Sequence, residues 1–185
     1  MADFIHSAYL SDVSVCDELI QLFTVSDNKT PGLTTAGVDR NIKASTEISF
    51  HAKEIDYVPA LKKYFLMLQE VCNQYIHLYP ASNSNAPWRA ENFNIQHYAP
   101  GEGYYAWHCE RGGAQHVFNR RRLAWMTYLN DVNDAGGTEF LHQKQTIQPH
   151  KGLTMIWPVD WTHTHRGVPS PTENKYIITG WYEYV

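Results

Sequence analysis

The sequence predicts an α+β fold, with helices in its first half and a strand-rich barrel or sandwich in its second. Three observations carry this. Apolar residues recur at helical spacing only before Pro80. After Trp88, short apolar segments alternate with Gly, Pro, Asn and Asp up to the C-terminus. Aromatic residues are plentiful, with 6 Trp and 12 Tyr, while charged residues make up only 18%, a balance that suits half-buried strands. At 185 residues the chain fits one domain with a sizeable core, helical over about residues 1–88 and strand-rich over about 89–185.

Ser11 and Asp12 precede Val13–Phe23, whose apolar spacing predicts a helix capped by a small polar residue. Ser26–Asn41 is rich in Gly, Thr, Asn and Asp and reads as loop, and Ser45–Phe50 as a short strand. Leu61, Phe65, Leu68, Cys72, Tyr75 and Tyr79 share one face of a long helix over about Val58–Tyr79. Its aromatic stripe reads as packing. Pro80–Pro87 ends that helix with Ser, Asn and Pro. Eight strand segments follow: Glu91–Tyr98, Tyr104–Glu110, Leu123–Leu129, Gly137–Phe140, Gln143–Gln148, Gly152–Trp157, His163–Gly167 and Tyr176–Tyr184. Pro100–Gly103 and Asp134–Gly137 look like hairpin ends. Helices first and strands afterwards place the helices against one sheet.

Composition narrows the function. A formal net charge of -4 speaks against a dedicated nucleic-acid binder. The one basic run, Arg120-Arg121-Arg122, reads as a solvated face or strand edge, with contact to an anionic substrate as the functional alternative. Cys16, Cys72 and Cys109 have no paired spacing and suit a reducing compartment. Met1-Ala2-Asp3 opens no basic-then-apolar leader, and no apolar run approaches the ~20 residues of a membrane span. The expectation is a cytoplasmic protein that binds neither nucleic acid nor membrane. Oligomeric state is not legible.

Chemistry concentrates at Trp107-His108-Cys109-Glu110. In a strand, alternation puts His108 and Glu110 on one face and Cys109 on the other. Two histidines and one carboxylate on one face of a metal leave positions open for substrate and oxygen, the arrangement of non-haem Fe(II) oxygenases. A distant histidine must complete the set, and Thr162-His163-Thr164-His165-Arg166 supplies two candidates. An HxE tripeptide alone is common, and a lone strand histidine is more often structural. Lys175 follows His165 by ten residues. A hairpin would return it to the barrel floor, where a buried ammonium needs an anionic partner; otherwise it is a solvated strand end.

Taken in order, these pieces resemble the 2-oxoglutarate/Fe(II) dioxygenases, and within them the prolyl 4-hydroxylase-like branch. The resemblance covers roughly Glu91 to Tyr184. Asn94–Gly103 is similar to the family's lead-in strand, with Tyr98 ten residues before His108. Thr127-Tyr128-Leu129-Asn130, then Gly136-Gly137-Thr138-Glu139-Phe140, resembles its YLN…GGxxxF element. Pro149-His150-Lys151-Gly152 resembles its PxxG turn, and His165-Arg166-Gly167-Val168-Pro169 with Lys175 its distal-ligand strand and basic anchor. The resemblance implies a double-stranded β-helix (jelly-roll, cupin-like) barrel buttressed by the N-terminal helices. It implies Fe(II) on His108, Glu110 and His165, with His163 as the competing ligand. It implies 2-oxoglutarate anchored by Lys175 and bonded by Tyr98 and Tyr128, O2 as oxidant, and room for ascorbate as an accessory. The product set would be succinate, CO2 and a hydroxylated C–H bond, with peptidyl proline the first substrate. One departure stands out: this branch ordinarily carries Asp where Glu110 sits, and the extra methylene must be accommodated.

The other histidines, His97, His116, His142 and His150, read as surface or loop residues, and Trp107, Trp125 and Trp157 as core, with Trp161 at the entrance. Other substrates remain open, namely a free amino acid, another peptidyl side chain or a small metabolite. So do two other classes, a cupin-like metal enzyme not using 2-oxoglutarate and a non-catalytic β-barrel binding module. Specificity is expected in the loops Ser26–Asn41, Pro80–Arg89 and Arg111–Asn119.

Overall fold

A computed structural model gives the structure of residues 2–34, 37–83, 86–112 and 116–185, the side chains of His116 and Val117 excepted. Parts of the three expected specificity loops, residues 35–36, 84–85 and 113–115, therefore lie outside the described residues, as does the His116 side chain.

The elements run β1 (His6–Tyr9), α1 (Ser14–Val25), β2 (Thr30–Pro31), β3 (Thr46–His51), α2 (Pro59–Leu78), β4 (Trp88–Tyr98), α3 (His116–Asn119), β5 (Arg121–Tyr128), β6 (Thr138–Phe140), β7 (Gln145–Ile147), β8 (Leu153–Pro158), β9 (His165–Gly167) and β10 (Lys175–Tyr184). Seven strands form one antiparallel sheet in the order β1-β8-β5-β10-β4-β3-β2, and β7-β6-β9 form a second. This is the expected jelly-roll architecture. Three strands of the large sheet, β1 to β3, come from the part of the chain that also holds the long helices.

Strand alternation separates two cores. On the outer face of the large sheet, Phe93, Ile95, Leu123, Trp125, Ile178 and Tyr182 pack under α1 and α2, which bring Val15, Leu19, Leu61, Tyr64 and Leu68. On the inner face Tyr98, Met126, Tyr128, Met155 and Ile177 look toward Phe140 of the small sheet. Pro59 opens α2 at a position where the missing N–H costs nothing, and Pro80 follows its end. The hydroxyls buried between helix and sheet satisfy one another: Tyr64 bonds Thr127 at 2.8 Å, and Thr127 bonds Thr154 at 2.7 Å.

Gly180 of β10 is set by this packing. A Cβ there would lie 2.5 Å from Trp125 Cζ2 and 2.7 Å from Phe93 Cβ. Both neighbours belong to the aromatic cluster under the helices and have little room to give. Gly180→Ala is expected to destabilise the fold by about 1–3 kcal/mol, read as a lower midpoint in urea unfolding.

Besides strands β1 and β2, which the sequence reading lacks, four details differ from it. Tyr104–Glu110 is not a ladder strand; it makes isolated bridges at Lys43–Tyr104 and His108–His165, then bonds from the Glu110 and Arg111 amides to Val159 O at 3.1 and 3.0 Å. The small sheet offers it only the three-residue β9 as a partner, so the pairing stays intermittent. The first helix begins one residue later than expected: Val13 holds the cap position and Asp12 accepts the Ser14 amide at 2.9 Å. His97 lies within β4, its ring stacked 4.5 Å from that of Tyr176. Trp107 is 37% exposed rather than core, with the Arg166 guanidinium 4.6 Å from its ring centre.

Candidate metal centre and active-site cavity

His108, Glu110 and His165 come together at one end of the space between the sheets. Their ligand atoms all lie within 4.8 Å of one another, the one such group found among the described residues. The bridge between His108 and His165 sets the pair: each amide donates to the other's carbonyl, at 3.0 and 2.9 Å. A two-residue step then carries Glu110 to the same side, the outcome that strand alternation predicts although the ladder is interrupted.

The hydrogen bonds decide which ring atoms are free. His108 Nδ1 lies 3.0 Å from Ala106 O, and His165 Nδ1 lies 2.9 Å from His163 O. A carbonyl only accepts, so both Nδ1 atoms carry the proton and both neutral rings turn a lone pair outward at Nε2. Those two Nε2 atoms face the same carboxylate oxygen, Glu110 Oε1, at 3.7 and 3.3 Å. Three electron-pair donors converge with no proton between them in the neutral state, which is the donor set of a cation site. Burial, followed by the neighbouring His165, lowers the His108 pKa to about 4, so the ring stays neutral and ligand-competent at physiological pH. For Glu110, burial favours the protonated form. Any proton that His165 or His108 takes up on the side facing it, together with the nearby Arg121 guanidinium, favours the carboxylate and holds it well below the usual range.

The other carboxylate oxygen is held elsewhere. Trp181 Nε1 donates to Glu110 Oε2 at 2.8 Å, and Arg121 Nη1 lies 3.6 Å from it. The longer glutamate is thus anchored at Oε2 and turns Oε1 to the two imidazoles. Trp181 and Lys175 sit on the same strand at even spacing, so both face inward. Arg121 packs 3.5 Å over the Trp181 ring centre and donates to the Glu110 carbonyl at 3.0 Å. The solvated-face reading of the basic run holds for Arg120, which is exposed and donates to Tyr184 O at 2.8 Å; Arg122 is half-buried and donates to Tyr184 and Ser82, while Arg121 enters the cavity. A register shift between Tyr182 and Glu183 is the cause, because a bulge puts one extra residue into the strand pair and turns Arg121 inward.

His163 does not join the group. It closes a single 3₁₀ turn, Trp161–His163, and its Nε2 donates to Asp3 O at 2.8 Å, so it faces the N-terminal segment. The expected shared strand face of His163 and His165 is absent because the turn ends between them. Cys109 is half-buried, with its Sγ 3.3 Å from Arg111 O.

Beside the triad opens a cavity of about 370 Å³, a size that suits a small-molecule site. Lys175 lies on its wall, 4% exposed, donating to Gly136 O at 2.8 Å and Val168 O at 3.1 Å and lying 4.8 Å from the Tyr98 ring centre. No carboxylate pairs with it among the described residues, and burial lowers its pKa to about 8. Tyr98 and Tyr128 line the same cavity. The Tyr98 hydroxyl donates to Gln96, and the Tyr128 hydroxyl lies 2.7 Å from Thr138 Oγ1. Cross-strand register places Glu47, Gln96, Ile177 and Tyr128 in one inward row and Ser49, Asn94, Thr179 and Met126 in the next. The β3–β4 side of the wall is therefore polar and the β5 side apolar.

Lys43, Glu47 and Tyr104 also line the cavity, and sequence reasoning missed all three. Tyr104 stacks flat on His108, ring centres 3.6 Å apart at 10°. Nothing in its sequence separates it from Tyr105, which points out and donates to Gly101 O at 3.0 Å. The sequence reading also passed over Trp181, although its even spacing from Lys175 on one strand could have found it.

The sequence matches the model of the 2OG-Fe(II) oxygenase superfamily over residues 93–183. No curated protein matches it. Among solved structures it is similar to the viral collagen prolyl hydroxylase of Paramecium Bursaria Chlorella virus-1 in its 2OG complex, at 18% identity and TM-score 0.71, over 98% of this chain and 97% of that one. It is similar to a Pseudomonas putida prolyl-4-hydroxylase at 15% identity and TM-score 0.73, over 97% and 92%. It is also similar to a Trichoplax adhaerens prolyl hydroxylase in complex with a hypoxia inducible factor oxygen degradation domain peptide fragment. That match has 17% identity and TM-score 0.76, over 99% and 84%. At these identities the three structures establish a shared fold.

Proposed function

Because the chain belongs, through residues 93–183, to the 2OG-Fe(II) oxygenase superfamily, we propose that it hydroxylates a C–H bond of peptidyl proline, with His108, Glu110 and His165 as its iron ligands. One observation carries the ligand assignment: two Nε2 lone pairs and one carboxylate oxygen converge at the end of a cavity whose wall holds a buried ammonium with no carboxylate partner among the described residues. When bound, Fe(II) and 2-oxoglutarate supply oxidative decarboxylation to succinate and CO2, coupled to insertion of one O2 oxygen into substrate.

The chain's own residues supply position and exclusion of water. Backbone carbonyls fix the tautomers of both histidines, and Trp181 and Arg121 fix the carboxylate. Lys175 would take the far carboxylate of 2-oxoglutarate by a charge-assisted bond, and the Tyr98 and Tyr128 hydroxyls would turn to the same molecule from Gln96 and from Thr138 and the Ile147 carbonyl. Apolar Met126, Ile177 and Trp157 keep water from the reacting end. The prolyl peptide rests on the fold shared with hydroxylases of that class and on a cavity open enough for a side chain. Residues 1–185 act as one dioxygenase domain, since strands from both parts share a sheet. The three free cysteines suit a reducing cytoplasm, and no helix among the described residues is long and apolar enough to cross a membrane.

The test is a panel of proline-containing peptides scored by mass for one added oxygen and by succinate released. Added oxygen without succinate would indicate a metal enzyme that does not use 2-oxoglutarate, and absence of stoichiometric iron a non-catalytic module. His163→Asn separates the two candidate distal ligands: it is expected to keep one iron per chain while lowering thermal stability, because the ring's contacts with Asp3 and Thr162 are lost and the metal donors are untouched. Loss of iron in this variant would move the ligand role to His163.

A further inference from the structure

The mechanism leaves one buried charged pair on the cavity wall unused. Lys43 and Glu47 form an ion pair, 5% and 4% exposed, and Ser45 donates to the same Glu47 oxygen at 2.9 Å. Lys43 Nζ also lies 5.4 Å from the ring centre of Tyr104, which stacks on His108. The pair is thus one aromatic ring away from the metal centre.

Its surroundings close it on one side and leave it open toward the cavity. Gly32 passes directly behind it: a Cβ there would lie 2.1 Å from Ser45 Oγ and 2.8 Å from Glu47 Oε1, and the Gly32 amide donates to Ser45 O at 3.0 Å. In front lies the polar half of the wall, Ser49, Asn94, Gln96 and Thr179. A buried ion pair is a poor stabiliser compared with apolar residues of the same volume, so its retention here calls for another reason.

A net-neutral pair selects by dipole and not by charge. A lone carboxylate would be drawn to Lys43 and repelled by Glu47; a lone cation would meet the reverse. Lys43 carries three N–H donors, and the contacts to Glu47 described above fall on Oε1. A group with an oxygen acceptor and an N–H donor on neighbouring atoms can address both residues without breaking the pair. Amino-acyl units have that chemistry, either as a peptide unit or as the zwitterionic head of a free amino acid.

We propose that Lys43 and Glu47 are specificity-determining residues that bind one amino-acyl unit of the substrate, Lys43 donating to its oxygen and Glu47 accepting from its N–H. This rests on the prolyl reading above and extends it to the part of the substrate beside the reacting ring.

The experiment uses the full chain with Fe(II) and 2-oxoglutarate under anaerobic conditions and follows perturbation of their visible absorption band. Three probes are titrated: an N-acetylated, C-amidated prolyl-glycine, free L-proline, and pyrrolidine, which has the ring but no acyl group. In the parent protein one of the first two is expected to bind at least tenfold more tightly than pyrrolidine. If it is the blocked peptide, the source is a peptide unit; if free L-proline, the zwitterion. In Lys43→Met/Glu47→Leu, which keeps volume and removes the pair, that advantage is expected to fall below twofold. Lys43→Glu/Glu47→Lys, which keeps an ion pair and reverses its polarity, should lose it as well and guards against misfolding of the apolar variant. An advantage that survives in either folded variant overturns the proposal, as does a band that no probe perturbs. A band that never forms in the parent protein instead overturns the iron and co-substrate reading.

Discussion

His108→Ala is expected to remove Fe(II) binding and 2-oxoglutarate-dependent succinate formation together. The substitution takes one of three donors from a site where both remaining donors are uncharged or already shared: His165 offers a single lone pair, and Glu110 divides its oxygens between the imidazoles and Trp181. A two-donor remnant leaves the metal to compete with water at most of its positions. The fold should survive, because His108 contributes its backbone to the bridge with His165 and those bonds do not need the side chain. The measurement is metal content by elemental analysis after anaerobic loading, beside circular dichroism of the same sample. Normal turnover by a folded His108→Ala protein would remove the ligand assignment.

The second large effect is at Lys175. Lys175→Ala is expected to weaken 2-oxoglutarate by about 30-fold or more while one iron stays bound, since deleting one partner of a buried charge pair typically costs 2–5 kcal/mol. The ammonium is already desolvated and pinned by two carbonyls, so a carboxylate meets a charge stripped of water. Its lowered pKa of about 8 gives a second signature. The co-substrate binds the protonated form. Affinity should therefore be flat below about pH 8 and fall as pH rises through it, until the raised pKa of the complex is passed. The same desolvation acts on stability in the opposite sense: with the folded-state pKa below the unfolded one, the cost of burying the charge is present below pH 8 and is relieved above it. Unchanged affinity in Lys175→Ala would shift the anchor to another cation of the cavity wall, with Arg121 the first to test; Arg166, the alternative the sequence offers, lies outside the cavity against Glu139 and Trp107.

The site was legible where local spacing determines geometry. His108 and Glu110 were readable because a two-residue step turns both side chains the same way even in an intermittently paired segment. Lys175 was readable from its ten-residue distance to His165, but not by the expected hairpin: β9 pairs with β6 in the small sheet, while β10 pairs with β4 and β5 in the large one. What escaped the sequence depends on contacts made by distant residues. Arg121 enters the cavity because of a bulge opposite Glu183, and no feature of Arg120-Arg121-Arg122 signals which of the three will turn. Lys43 and Glu47 flank the start of a strand like ordinary surface charges, and it is the inward face of β3, the Tyr104 ring and the crossing of Gly32 behind them that bury them. The strand β1 was missed for a related reason: four residues of alternating burial carry too little pattern, and their pairing with β8 spans most of the chain. For the fold, helical periodicity and turn signals sufficed for the helices and for most strands of the second half, because those signals are local.

The departure at Glu110 has a physical account. An aspartate would reach the metal position directly from the backbone, whereas the glutamate spends its extra methylene reaching the Trp181 indole with one oxygen. That bond, the Arg121 stack and the two imidazoles together fix a longer side chain that would otherwise lose rotamer freedom on binding metal.

The most direct measurement is an anaerobic titration of Fe(II) in the presence of 2-oxoglutarate, followed by visible absorption and metal content in the parent protein and in His108→Ala. The account predicts a band that needs both additions, saturates at one iron per chain and is absent from the variant. A parent protein that takes up no iron, or a band that persists in a folded His108→Ala, would contradict it.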